Sequence, residues 1–188
     1  VHSDSATGAG PAARLQQFVV DLEREVSPLT RSLNEANWRF QVSGDASAEH
    51  ESIELDTRLR QIYARPESYR LLDELKRSAG IGDPLLARQL ELLHNDHRAH
   101  QLSPERIAKV VGMEKALESR FNRFRATFDG ESVTDNTLRQ VLRESDDPGQ
   151  RRRAWEASKQ VGAQVAPEML ALVELRNENA RTLGFPNF

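Results

Sequence analysis

The sequence predicts an all-α protein: an array of about seven or eight helices with at most one short β-hairpin, near residues 125–134. Three observations predict it. Apolar residues recur at three- and four-residue steps along nearly the whole chain, the spacing that lines one face of a helix. A capping side chain followed by proline, the pairing that opens helices, occurs at Asp83-Pro84, Ser103-Pro104 and Asp147-Pro148. Only Arg125–Thr134 carries a strand–turn–strand signal, with Asp129-Gly130 set between β-favouring residues.

Taken in order, the chain begins with VHSDSATGAG, small and polar residues that cannot pack a core. Residues 1–12 are expected to form a disordered lead-in left after processing, and 13–188 the helical region. Leu15, Phe18, Val19, Leu22, Val26, Leu29 and Leu33 make the stripe of one long helix, which Pro28 should kink or interrupt. Gly44–Ser47 breaks the run, and Ser47 is the expected N-cap of a second helix carrying Ile53, Leu55, Leu59 and Ile62. Pro66 opens a short third helix that ends at Gly80. A fourth follows Asp83 with Leu85, Leu86, Leu90 and Leu93. The helix after Ser103 is long, with Ile107, Val110, Val111, Leu117, Phe121 and Phe124 along it. Thr134 caps another, holding Leu138, Val141 and Leu142. In the last helix Met169, Leu170, Leu172, Val173 and Leu175 spread over too wide an arc for one packing partner.

Composition narrows the function. The chain has 188 residues, enough for one ordinary domain, but its apolar content is 38% against 29% charged. With 26 basic and 29 acidic residues the net charge is −3, so no overall field attracts nucleic acid or an anionic membrane. Cysteine is absent, which removes disulfides, thiolate metal sites and cysteine nucleophiles. No apolar run approaches the ~20 residues of a membrane span. There is no phosphate-cradling glycine loop and no G-x-S-x-G elbow.

Three clusters remain. In LHNDHRAH, His94, His97 and His100 lie three apart, so the outer two diverge by about 60° around a helix. H-E-x-x-H, the zinc-helix pattern, needs a four-residue step and a Glu, and neither is present; these histidines read as a polar, partly exposed helix end, with adventitious or regulatory metal binding as the alternative. Arg151-Arg152-Arg153 follows Glu144–Asp147 and reads as solvated helix turns making ion pairs, not as a nucleic-acid patch. In NEANWRFQVSGD (Asn34–Asp45) a Trp and a Phe two apart sit awkwardly on a core stripe. They read either as packing at a helix end or as an aromatic and amide surface facing a cleft.

That segment resembles the A-N-W-x-[YF]-x-T-N-I-T stretch ending the first long helix of angiotensin-converting-enzyme-like zinc peptidases. WEASKQVGAQVAPEMLALVELRNENARTLGFPNF (Trp155–Phe188) is similar to the same family's W-E-x-W-R-x-x-x-G…L-x-x-L-x-N-x-x-A-R-x-x-G-[FY] segment. The intervening Glu118–Trp155 fits the family's order of long helix, small ribbon and short helix. The resemblance covers most of the chain after residue 12 and is weakest over 83–101. Two departures stand out. Ser158-Lys159 replaces the Trp-Arg pair of animal members, whose Arg contributes to a chloride site, and Lys lacks the planar fork. Val42-Ser43-Gly44 replaces their glycosylation-like N-x-T, which suggests a bacterial relative.

The resemblance implies the lid half of a gluzincin cleft, in a peptidase that releases C-terminal dipeptides from oligopeptides. Zinc-activated water would attack the scissile carbonyl, with a Glu as general base. It places Asn37, Trp38, Arg39 and Phe40 at the cleft mouth as substrate contacts. The zinc helix and the groups that steady the oxyanion lie beyond the matched region. The 188 residues are therefore expected to be an N-terminal part that binds no zinc, is inactive alone and needs the remaining C-terminal part of the same peptidase. A periplasmic or secreted location is expected. The alternative from another class is a free-standing helical interaction module without catalysis.

Overall fold

The computed structural model describes residues 10–78 and 80–188. Among them are eight helices: α1 (Pro11–Ser43), α2 (Ala46–Tyr63), α3 (Pro66–Arg77), α4 (Pro84–Ala99), α5 (Pro104–Arg123), α6 (Asp135–Glu144), α7 (Pro148–Ser158) and α8 (Gln160–Thr182). The strands β1 (Ala126–Phe128) and β2 (Glu131–Val133) form one antiparallel hairpin pairing Ala126 with Val133 and Phe128 with Glu131. The all-α expectation with a single ribbon holds. Asp129 and Gly130 have φ of 50° and 90°, the left-handed pair a two-residue turn requires. Gln160 at the start of α8 covers the hairpin edge, its amide donating to the Thr127 carbonyl and accepting from the Thr127 N–H, each at 2.9 Å.

Local cap chemistry explains most helix starts. Asp83 accepts from the N–H of Leu85 (2.8 Å) and Leu86 (3.2 Å), and Asp147 accepts from Gly149 (2.8 Å). Ser103 and Thr134 cap α5 and α6 as expected. Asp83→Ala should cost about 1 kcal/mol, because two N–H groups of α4 lose their acceptor. The urea midpoint should fall with the m-value unchanged.

Four expectations need correction. Pro11 and Ala12, assigned to the lead-in, are already helical in α1, while residues 1–9 lie outside the described residues. Of the two effects expected of Pro28, interruption does not occur: α1 runs on to Ser43. Burial anchors that helix on both sides of the proline, at Leu15 before it and at Ala36 and Phe40 after it, and this offsets the lost hydrogen bond. The cap of α2 is Asp45, not Ser47: its carboxylate accepts from the Ser47 N–H at 2.8 Å. The third helix stops at Arg77, before Gly80, with Ser78 as its C-cap.

Apolar packing gathers in three places. Leu15 of α1 meets Leu72 and Leu75 of α3 and Leu86 and Leu90 of α4. Val110 and Leu117 of α5 meet Leu172 and Leu175 of α8. Ala126, Leu138, Ala154 and Ala157 join the hairpin to α6 and α7. The wide apolar arc of α8 is thus split: Leu172 and Leu175 are covered by α5, whereas Met169, Leu170 and Val173 face outward. Phe121, also along α5, is exposed in the helix's last turn. No helix is long and apolar enough to cross a membrane among the described residues.

Candidate functional site

Helix α1 ends because Gly44 turns left-handed at φ 70° and returns its N–H to the Phe40 carbonyl at 2.8 Å. Asp45 then starts α2, so the chain folds back within two residues. This turn fixes Asn37–Phe40 in the last turns of α1, against α2. Ala36 and Phe40, four apart, face inward at 0% and 2% exposure. Trp38 points the other way at 71% exposure, and Val42 four residues later is also exposed. An open groove runs along this outer face of α1 from Val26 past Thr30 and Asn34 to Trp38.

The four residues singled out in the sequence therefore part company. Trp38 presents its indole to solvent, and Asn37 is half-buried. Arg39 is exposed but forms an ion pair with Glu51 of α2, so its pull on an anionic substrate end is already largely matched. Phe40 is a core residue. Its ring cannot touch a substrate and instead supports the surface from beneath. Packing at the helix end thus holds for Phe40, while Trp38 lies on the opposite, exposed face of the same helix.

Neighbouring polar side chains complete the surface. Lys115 of α5, itself buried, donates to Asn37 Oδ1 (2.8 Å) and to Glu118 Oε2 (3.2 Å). Gln41 donates to Glu118 and accepts from Asn122 Nδ2 at 3.0 Å. Arg123 and Glu49 pair at the same junction, α5 to α2. Sequence reasoning missed these partners. Arg39–Glu51 could have been found, since both lie six residues from Asp45, at the turn about which α1 and α2 fold back. Lys115 and Glu118 carry no local signal.

A second polar group lies on the other side of α5. Glu114 accepts from Arg60 (2.6 Å) and from Arg176, tying α2 and α8 to α5, while Asp56 holds the other edge of Arg60 at 2.8 Å. Burial alone would raise the Glu114 carboxyl, but the Arg176 hydrogen bond and the Arg60 charge together hold it below 4.5. It borders a cavity of about 350 Å³ lined by Ile107, Val110, Ala180, Leu183, Phe185 and Phe188.

The three histidines do not converge, and two of them, His94 and His97, are buried and so do not form the polar helix end expected of them. His94 donates through Nε2 to Asp73 (3.3 Å) and stacks near Tyr69, with ring centroids 5.3 Å apart. His97 is fully buried between Phe18 and Tyr63, its Nδ1 donating to the Leu93 carbonyl at 2.8 Å. Burial pushes its imidazole below the ordinary 6.5, so it is a neutral core ring. His100 bonds the Asp96 carbonyl at 2.7 Å. Helix α4 uses them to pack against aromatic rings on α1, α2 and α3. Among the described residues no group of three or more His, Asp or Glu side chains is arranged to hold a metal ion. Two members of the arginine triplet are paired, Arg152 with Glu156 and Arg153 with Asp129, both at 2.9 Å.

The sequence model of the angiotensin-converting enzyme family of peptidases matches residues 11–188, all but the first ten of the chain. The chain belongs to this angiotensin-converting enzyme family. Comparison with curated proteins returns no match. The family match includes α1 and its Trp38 surface as well as the hairpin and α8. Members of the angiotensin-converting enzyme family are zinc peptidases, and the described residues offer no set of side chains that fits zinc.

Proposed function

We propose that these residues roof the substrate cleft of a zinc peptidase that releases dipeptides from the C-terminus of oligopeptides. The zinc ligands, the general base and the oxyanion-stabilising groups would come from a remaining C-terminal part of the same peptidase, and residues 11–188 would be inactive without it. The match of the angiotensin-converting enzyme family over residues 11–188 carries this reading. The exposed strip of Met169, Leu170 and Val173 on α8 supports it, as a surface on which the remaining part would dock. Read as the free-standing module, the same strip would face a separate partner. A gene that continues past codon 188 into an H-E-x-x-H segment supports the peptidase, and a stop codon there supports the module.

In this reading the chain contributes binding, not bond breaking. Trp38 offers a rigid amphipathic ring to a peptide side chain, worth on the order of 1 kcal/mol where water is excluded. Trp38→Ala in the complete enzyme should therefore raise KM for short peptides about fivefold with kcat nearly unchanged, the signature of uniform binding. Because Trp38 is 71% exposed, its loss should leave Tm unchanged. A fall in Tm with normal kinetics would make the indole a packing residue and remove it from the substrate surface.

A further inference from the structure

Lys115 is a buried cation that the cleft-roof reading leaves without a task. It lies on α5 at 8% exposure. Lysine is almost never this buried unless paired, and its ammonium loses hydration that partners must replace. The partners here are specific. Nζ donates to Asn37 Oδ1 at 2.8 Å, across to α1, and to Glu118 Oε2 at 3.2 Å, one turn along α5. Glu118 in turn accepts from Gln41 of α1, and Asn122 of α5 donates to the Gln41 side-chain oxygen at 3.0 Å.

Backbone contact between α1 and α5 is slight, since α1 packs on α2 and α2 on α5. The end of α1 thus reaches α5 through side-chain hydrogen bonds, and their buried member is Lys115. A methionine of similar shape would fill the same space without a desolvated charge, so burial of a lysine serves stability poorly. It serves geometry instead. Asn37 immediately precedes Trp38, so a bond that fixes the Asn37 amide fixes the roll of the last turns of α1 and the direction of the indole.

We propose that Lys115 is a positioning residue for the peptide-binding surface: its ammonium, shared between Asn37 and Glu118, locks the Trp38 turn of α1 onto α5. This rests on the reading that Trp38 contacts substrate. Pre-setting the ring's direction spares the ordering that a loose side chain would undergo on binding. Lys115 touches no substrate itself.

The test is a double-mutant cycle in the complete enzyme, with Lys115→Met, Trp38→Ala and the pair, read as KM and kcat on a short peptide together with Tm. Lys115→Met alone should raise KM at least about threefold, with kcat and Tm nearly unchanged, and should add little once Trp38 is alanine. Lys115→Arg, which keeps a donor cation, should recover part of the KM loss. If Trp38→Ala raises KM and Lys115→Met does not, the positioning role is overturned and the substrate surface stands. If Trp38→Ala leaves KM unaltered, both fall, whatever Lys115→Met does. Additive effects in the pair would place the action of Lys115 elsewhere and overturn the proposal. Should Lys115→Met lower Tm, Lys115→Gln, which keeps a neutral donor, gives the same reading: an unchanged KM overturns the proposal and a raised KM upholds it.

Discussion

Glu114→Gln is expected to destabilise the protein by about 2–3 kcal/mol and to lower Tm by about 5–10 °C. The substitution preserves volume and one acceptor oxygen but removes the charge that sits between Arg60 and Arg176. Both guanidinium groups are mostly covered, with side-chain exposures of 27% and 30%, so neither recovers full hydration when its counter-charge goes. Asp56 still serves Arg60, and about a fifth of Glu114 meets solvent, so the cost falls short of the value for a wholly enclosed pair. The pH dependence has a definite sign. A carboxyl held below its ordinary 4.5 contributes stability that is fully present above that value and is lost as pH falls through the folded-state pKa. The gap between wild type and Glu114→Gln should therefore stay constant from pH 5 to about pH 8 and close at lower pH. A gap that widens on acidification would contradict the assignment.

Leu72→Ala should cost about 3 kcal/mol, within the range measured for buried leucines. Leu72 is 0% exposed and stands among Leu15, Leu75, Leu86 and Leu90, where α1, α3 and α4 meet. Those helices are fixed to one another by this packing, so the vacated space cannot close without moving one of them. Thermal or urea unfolding gives the number directly. A loss below 1 kcal/mol would mean that this cluster does not hold the first helix in place, and with it the base of the Trp38 surface.

Local chemistry was legible in the sequence and distant pairing was not. The caps at Asp83, Ser103, Thr134 and Asp147 and the Asp129-Gly130 turn each depend on residues within four positions, and each forms as read. Asp45 and Ser47 could both cap a helix. The choice fell to Asp45 because Gly44 ends α1 one residue earlier. Pro28 failed as a breaker because tertiary burial on both sides outweighed a local preference. The segment Asn37–Phe40 was noticed for its aromatic pair, but which ring faces solvent depends on where α2 returns, and that placed Phe40 inside and Trp38 outside. Lys115 and Asn37 are 78 residues apart, and Glu114 and Arg60 are 54 apart. Nothing in either neighbourhood marks these partners, since oppositely charged residues three or four apart occur in every helix here.

The central claim is that this chain forms the substrate-admitting roof of a peptidase acting from the C-terminus. Mass spectrometry of a short unblocked peptide incubated with the complete protein tests it most directly. The account predicts stepwise release of C-terminal dipeptides, stopped by a zinc chelator and slowed at low substrate concentration by Trp38→Ala. Release of single residues, cuts from the N-terminus, or an intact peptide after long incubation would contradict it.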